Sequence, residues 1–441
     1  MNIVFSPGHD CLTMTDFETE QGDELRAFTE RLCSFDTTGG NEGPAQEWLA
    51  DRLSEMGFET YEWTADAERL AEHPSFPDDP VAIEHTEASA DGPTLVERPS
   101  VAGVLEFGDP DDGQTLVLNG HMDVVPVARE SWDTDPFEPT WEGDDLTARG
   151  AVDMKSGLAS CVFAAKHLHE NAEGRNLDGR LVVESVVGEE EGGLGAAAAA
   201  LSNPYPFERD AAIVAEPTDL TPVVAVEGTV MKRLRITGRS AHAATRWRGE
   251  SVHPHFEAIR RAFFELEAER SESVTHPLYD EFPIPWPIVV GTVEAGTWSS
   301  SVPATLTAEM RLGVAPGETV DEVEAMYEER LAEVVEESEW LRDHPPTFER
   351  FSIQFESAET DPDEPIVGAL QSAMDGEGLD TTLRGETYGA DSRHYVAAGI
   401  PTALFGPGTI EQAHFPNETV HWPDVVTAGT VLTETARTFL D

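Results

Sequence analysis

The sequence predicts an α/β fold: a mixed, mostly parallel sheet in a main domain, with a ferredoxin-like α+β domain inserted into it. Three observations carry this. Short apolar runs such as "SVAGVLEF", "TLVLNGH" and "RLVVESVVG" alternate with segments of helical period, and strands separated by helices build partly parallel sheets covered by those helices. At 441 residues the chain exceeds what one ordinary core serves. After Pro222 the order changes to β-α-β-β-α-β, the ferredoxin-like arrangement, before the α/β pattern resumes. The expected boundaries are 15–223 and 358–441 for the two parts of the main domain and 224–357 for the insert.

In chain order, 23–56 reads as an amphipathic helix, a break at Gly39-Gly40 and a second helix closed by Gly57. Periodic structure is expected to begin near Asp23, with residues before Met14 either a loose tail or a start-site artefact. The acidic, Pro-rich stretch 64–99 reads as a surface insertion. Strands at 100–107, 115–121, 180–188 and 210–217 alternate with helices at 156–169 and around 195–201. In the insert, a strand over 225–238 leads to a helix over 252–270, strands at 287–295 and 301–314, a helix over 320–338 and a strand over 348–357. A helix at 365–377, the strand segment "GIPTALFGPG" and a last helix at 424–439 close the chain. The alanine run 196–200 is a good helix former and needs no other explanation.

Charge is the anomaly, with 85 Asp and Glu against 28 Lys and Arg and a formal net charge of −57. A disordered acidic chain would lack the 20 Phe and 9 Trp found here, and an acidic tail would be a block, whereas these acids run the whole length. A folded protein adapted to very high salt, where screening removes self-repulsion, accounts for both facts. Nucleic acid and anionic membranes are poor partners for such a field. Cys11, Cys33 and Cys161 form no CxxC pair and are odd in number, which points to a reducing cytoplasm and away from disulfides or a cysteine zinc site. The N-terminus has no basic residue of a secretory signal, and no apolar run approaches membrane-spanning length.

Five stretches place imidazole or carboxylate where a strand ends or in a loop. They are "NGHMD" with His121 and Asp123, "GAVDMK" with Asp153, "GEEEGG" with Glu189 to Glu191, "AEPT" with Glu216 and "AHFPNE" with His414. Any one could be a solvated acid or a satisfied structural histidine. Together they gather where an open α/β sheet builds its sites, beyond the carboxyl ends of strands. A mixed His and carboxylate set suits Zn, Co or Mn. Five ligands exceed one zinc with an open position and suit two metals sharing a bridging carboxylate. Such a pair lowers the pKa of a shared water and polarises a carbonyl. A glutamate beside a ligand glutamate is well placed to move the water's proton to a leaving amine.

In this order these motifs resemble the metallopeptidase and amidohydrolase family that contains acetylornithine deacetylase, succinyl-diaminopimelate desuccinylase, aminoacylase and carboxypeptidase G. The resemblance covers nearly the whole chain. It implies that His121, bridging Asp153 and Glu216 hold one metal and that Asp153, Glu190 and His414 hold the other. It makes Glu189 the general base, and Asp123 the partner that fixes the tautomer of His121. The third glutamate leaves a register open in which Glu190 is the base and Glu191 the ligand; the "EExGG" pattern of related sequences favours the first. The insert becomes a lid (dimerisation) domain whose His242, in "GRSAHAATRWRGES", reaches a substrate carbonyl across a homodimer. Arg311 in "AEMRLGVAPGE" and Arg393 in "YGADSRHY" are candidates to grip a substrate carboxylate. Two departures stand out: Ser300 in "SSSVPA" and Ser251 after "RWRGE" occupy positions where relatives carry asparagine.

The implied activity is removal of an acyl group from a small-molecule N-acyl amino acid by a cytoplasmic dinuclear enzyme, most simply with zinc. A dipeptidase or carboxypeptidase of the same family is the second expectation. A non-catalytic binding module would lack ligands or base, and none is missing. A serine hydrolase would need a G-x-S-x-G elbow, which the sequence does not contain.

Overall fold

The computed structural model describes residues 14–77, 83 and 93–441; the expected tail 1–13, Cys11 and part of the acidic stretch 64–99 lie outside the described residues. Helices α1 (Met14–Cys33) and α2 (Gly43–Glu55) precede β1 (Glu59–Trp63), β2 (Ser100–Phe107) and β3 (Gln114–His121). A short hairpin of β4 (Thr140–Glu142) and β5 (Asp145–Thr147) leads to α3 (Lys155–Glu170), β6 (Gly179–Val186), α4 (Leu194–Leu201), β7 (Ala211–Val214) and β8 (Val223–Val226). Then come β9 (Gly228–Thr237), α5 (Val252–Ser273), β10 (Ile288–Ala295), β11 (Thr305–Val314), α6 (Val320–Glu337) and β12 (Thr347–Arg350). The chain closes with β13 (Ala358–Glu359), α7 (Pro365–Gly376), β14 (Arg384–Glu386), α8 (Ser392–Ala397), β15 (Thr402–Leu404), β16 (Thr419–His421) and α9 (Trp422–Leu440).

The main sheet runs β1-β2-β6-β3-β7-β15-β8-β13, with β14 also paired to β8. Its centre, β6-β3-β7-β15, is parallel, and antiparallel ladders flank it. Strands covered on both faces read as continuous apolar runs, and every residue of β7 and all but one of β3 are buried. Helix α1 explains its own placement: Phe17, Gln21, Leu25, Phe28 and Leu32 recur every three or four residues and are buried, with Thr29 and Cys33 beside them. It begins at Met14, nine residues before the expected start, because the acidic residues between the apolar positions sit on its outer face. With α3 and α9 it covers one side of the sheet, where the largest apolar cluster lies.

A second sheet, ordered β10-β11-β9-β12 with every ladder antiparallel, carries α5 and α6 and has a core of its own, including Leu234, Ile259, Phe263, Leu306 and Tyr327. Thr319 and Glu322 cap α6 reciprocally, and Ser251, at the departure noted above, caps α5 with its hydroxyl 3.4 Å from the His253 amide. The strand expected over 348–357 ends at Arg350. There the Gln354 side chain takes over from the backbone, accepting from Met231 N at 2.8 Å, as the chain leaves for the main sheet. The described parts of the 64–99 stretch are less superficial than expected: Ala65, Leu70, Phe76, Ile83 and Leu95 bury themselves against Leu194 and Ala197. The hairpin β4-β5, which pairs with β16, had no clear alternation to signal it.

Close approach of α3 to the end of β7 needs Gly157, where a Cβ would stand 2.1 Å from the carbonyl oxygen of Ala215. This contact sets the loop before α3 beside the residue after β7. Overpacking of this kind costs about 1–3 kcal/mol, so Gly157→Ala is expected to lower the free energy of unfolding by that amount, read as a lower urea midpoint at an unchanged m-value; an unchanged midpoint would show that the contact is slack.

Candidate metal centre

The polar strand ends meet at one end of the parallel core. His121 closes β3, Glu216 follows β7, Asp153 precedes α3, Glu189 and Glu190 follow β6, and His414 comes from the loop before β16. A cavity of about 280 Å³ is lined by Asp153, Glu189, Glu190, Glu216 and His414, with Thr229, Met231, Arg311, Phe355, Tyr388, Gly389 and Ile410 forming its other walls. A larger recess of about 620 Å³, near Trp63, Asp66 and Leu201, gathers no comparable set of imidazoles and carboxylates.

His121 Nδ1 lies 2.9 Å from the backbone carbonyl of Asp123. A carbonyl only accepts, so Nδ1 carries a proton, and Nε2 faces Asp153 Oδ1, also at 2.9 Å. A proton or a metal ion on Nε2 satisfies that contact. His414 Nε2 is 3.1 Å from Glu190 Oε1 and 3.4 Å from Asp153 Oδ2. Donor atoms of His121, Asp153 and Glu190 lie within 4.8 Å of one another.

The charges say the same. Four carboxylates share this cavity with His414, and His121 adjoins it through Asp153; burial pushes Glu216 up to about 8 and Glu189 well above its ordinary value, the latter raised further by Asp391 and Glu216. Burial also raises Glu190, against the pull of His414. His121 is lifted well above the usual range: burial opposes its charge, but Asp153, Asp123 and Glu216 outweigh that. A cluster that draws protons onto its imidazoles and holds carboxylates neutral is short of positive charge, and its donors are those of hard and borderline divalent metals. The residues fit the two-metal set.

Asp123 divides its work differently from expectation. The tautomer-fixing contact comes from its backbone carbonyl, while its carboxylate stands 3.7 Å from Nδ1 and accepts instead from the amides of Glu189 at 3.2 Å and Glu190 at 3.0 Å. The geometry also separates the three glutamates. Glu191 points away from the cavity to Arg98 Nη1 at 2.7 Å, and Arg98 is itself gripped by buried Glu42. Glu190 meets His414, and Glu189 lines the cavity without a hydrogen-bonded cation.

Of the remaining expected residues, Arg311 lines the cavity, with Nη2 3.3 Å from buried Glu227 and 3.1 Å from the Thr387 carbonyl. Arg393 does not face it. That side chain is 1% exposed, donates to the carbonyls of Gly192 at 2.7 Å and Ala390 at 3.1 Å, and lies over Phe355. In a chain with few cations it is spent on the turn behind Glu189. His242 is exposed beside the second sheet, capping a short helical turn through the Ala244 amide, and is not among the cavity residues. Sequence reasoning missed Arg98, Tyr388, Asp391 and Glu418, which the fold brings to or behind the site. Arg98 stood in no motif, and Glu418 closes "AHFPNE" as one of 85 acids, overshadowed there by His414.

A fold with a mixed sheet, a second antiparallel sheet inserted after β8, and a buried His and carboxylate centre at the strand ends defines a metallohydrolase class. The chain matches peptidase family M20/M25/M40 over residues 117–438 and belongs to that family. It is 28% identical over 425 residues to N-formyl-4-amino-5-aminomethyl-2-methylpyrimidine deformylase of Bacillus subtilis, covering 91% of each chain. It is 26% identical over 339 residues to acetylornithine deacetylase of Vibrio atlanticus, covering 76% of this chain and 84% of that one. Its fold is that of a di-peptidase from Saccharomyces cerevisiae, with a TM-score of 0.71 at 15% identity over 97% of this chain and 98% of the other. It is also that of a dinuclear metal-binding peptidase from Bacillus subtilis, with a TM-score of 0.60 at 15% identity over 97% and 99%. The protein is a hydrolase acting on amide bonds.

Binding that favours the folded state stabilises it, by about 2.7 kcal/mol at a hundredfold excess over Kd. Chelation is therefore expected to lower the thermal midpoint and added zinc to restore it. In Glu190→Gln the zinc-dependent rise should shrink. A midpoint indifferent to chelator and to zinc would count against the centre.

Proposed function

We propose that the protein is a dinuclear metal-dependent amidase that removes a small acyl group from an amine nitrogen, with N-acyl amino acids the first substrate class to test. The observation that carries this reading is the convergence of Asp153, Glu189, Glu190, Glu216 and His414 on one cavity, with His121 against Asp153 beside it. One metal would be held by His121, Asp153 and Glu216 and the other by Asp153, Glu190 and His414, with Asp153 shared. Bound there, divalent ions polarise a carbonyl and acidify a water, and zinc, cobalt and manganese all suit this donor set.

The chain's own groups do the rest. Glu189 lies beside these ligands, where its carboxylate, once the bound ions offset the surrounding acids, would take a proton from water and deliver it to the departing nitrogen; burial, Asp391 and Glu216 raise its affinity for that proton. Asp123 holds the two glutamates through their amides, so base and ligand keep one relative position. Met231, Phe355, Tyr388 and Ile410 give the far wall an apolar, partly aromatic character. Arg311 is the cavity's one guanidinium, and Glu227 and the Thr387 carbonyl already take up part of its donor set. This leaves room for an amine product without a carboxylate, of the kind named by the deformylase relative, beside the amino-acid products named by the deacetylase.

The second sheet with α5 and α6, residues 224–357, serves in this reading as a ferredoxin-like lid and dimerisation domain. His242, exposed and remote from the cavity of its own chain, would act in the site of a partner copy. The acidic surface suits a cytoplasm of high salt.

Two measurements test this. Glu189→Gln is expected to lower kcat by roughly 10²–10⁴-fold while metal content stays at the wild-type value; near-normal turnover would remove Glu189 from the role. In concentrated KCl, a panel of N-formyl and N-acetyl amino acids, an N-formyl aminomethylpyrimidine and simple dipeptides is expected to show its best kcat/KM on an acyl amine. A clear preference for dipeptides would replace this reading with a peptidase.

A further inference from the structure

Glu418 is four residues past His414, buried, and remote from every group assigned above except through hydrogen bonds. Its carboxylate accepts four of them, all from one loop. Oε1 takes the amides of Val152 at 2.7 Å and Asp153 at 3.0 Å. Oε2 takes the Gly150 amide at 3.0 Å and Arg149 Nη1 at 2.7 Å. Two more bonds tie the same segments together: Ala148 N donates to the Glu418 carbonyl at 3.1 Å, and Arg149 Nη2 donates to the His414 carbonyl at 3.3 Å. The turn 414–418 is thus strapped at both ends to the loop 148–153.

We propose that Glu418 is a positioning residue that locks His414 and Asp153 into one metal-binding geometry, and so sets the affinity of the metal those two share with Glu190. This rests on the dinuclear reading above. His414 reaches the centre from an exposed loop, its side chain 54% exposed and its backbone in the left-handed region at φ 64°. It sits on a loop and not on a strand as His121 does on β3, and its backbone is held from outside by Arg149. Metal sites tolerate errors of only about 0.2 Å in ligand distance, so a ligand on a loop needs such an external brace. A carboxylate with four charge-assisted acceptor contacts is a stiff one. An amide in its place keeps one accepting oxygen and turns an NH₂ toward N–H donors, which breaks about half the set.

The test is Zn²⁺ binding to the full chain, measured by competition with a chromophoric chelator in concentrated KCl. For Glu418→Gln the zinc held by Asp153, Glu190 and His414 is expected to lose about tenfold or more in affinity, in line with outer-shell substitutions elsewhere. The zinc held by His121, Asp153 and Glu216 keeps two ligands that Glu418 does not brace and should change by roughly threefold at most. Amide exchange at Gly150, Val152 and Asp153 should quicken in the chelated protein. Arg149→Met, which removes one of the four donors, should show a smaller loss at the same metal, and Arg149→Lys should recover part of it. If Glu418→Gln does not fold, Arg149→Met carries the test. Two zinc affinities within twofold of wild type in the folded variant overturn the proposal alone. Equal weakening of both metals reduces Glu418 to general structural support and overturns it as well. A folded wild type that binds no zinc overturns the dinuclear reading and this inference together.

Discussion

Four buried or half-buried carboxylates gathered with His121 and His414 are a charge imbalance that this chain does not settle with its own side chains. Its few cations near the site are committed elsewhere: Arg98 to Glu42 and Glu191, Arg393 to backbone carbonyls, Arg149 to Glu418, and Arg311 partly to Glu227. Isolated buried charge is costly, and the fold around the site is organised to make that cost tolerable until divalent ions supply the missing charge. The parallel core delivers His121, Glu190 and Glu216 at adjacent strand ends, where open α/β sheets place their ligands. Gly157 lets α3 and its loop come close enough to add Asp153.

Around the ligands lies a layer of anchors with different targets. Asp123 fixes His121 through a carbonyl and the Glu189-Glu190 turn through a carboxylate. Arg98 and Arg393 hold the far side of the same turn through Glu191 and Gly192. Glu418 holds the Asp153 loop. Every ligand-bearing loop except the short one after β7 is therefore tied by a buried charged side chain from a distant part of the sequence, which is how a site built on loops keeps the precision that metal chemistry requires.

Much of this was legible in the sequence because the relevant signals are local. The strands 100–107 and 115–121 and the helices of the insert carry their own periodicity, and the His and carboxylate motifs sit where a strand pattern stops. What stayed hidden was set by tertiary contacts. The "GEEEGG" register could not be read from three identical residues; what sets Glu191 apart from the other two is its ion pair with Arg98, 93 residues upstream. Arg393 looked like a free cation in a motif, and only its burial shows that it serves the Gly192 turn. Asp123 stood in a motif, yet which of its oxygens meets His121 depends on backbone geometry. Glu418 was one acid among 85. The strand expected to 357 stops at Arg350 because the chain must cross between sheets, a demand no local pattern states.

The central claim is that these ligands bind two metals which the amidase activity requires. The most direct test is zinc per chain, counted after dialysis in high salt, with amide hydrolysis followed before chelation, after it, and after zinc is returned. The account predicts two zinc ions per folded chain, with activity lost on chelation and regained on reconstitution. A folded protein that holds no metal, or one whose turnover survives complete chelation, would contradict it.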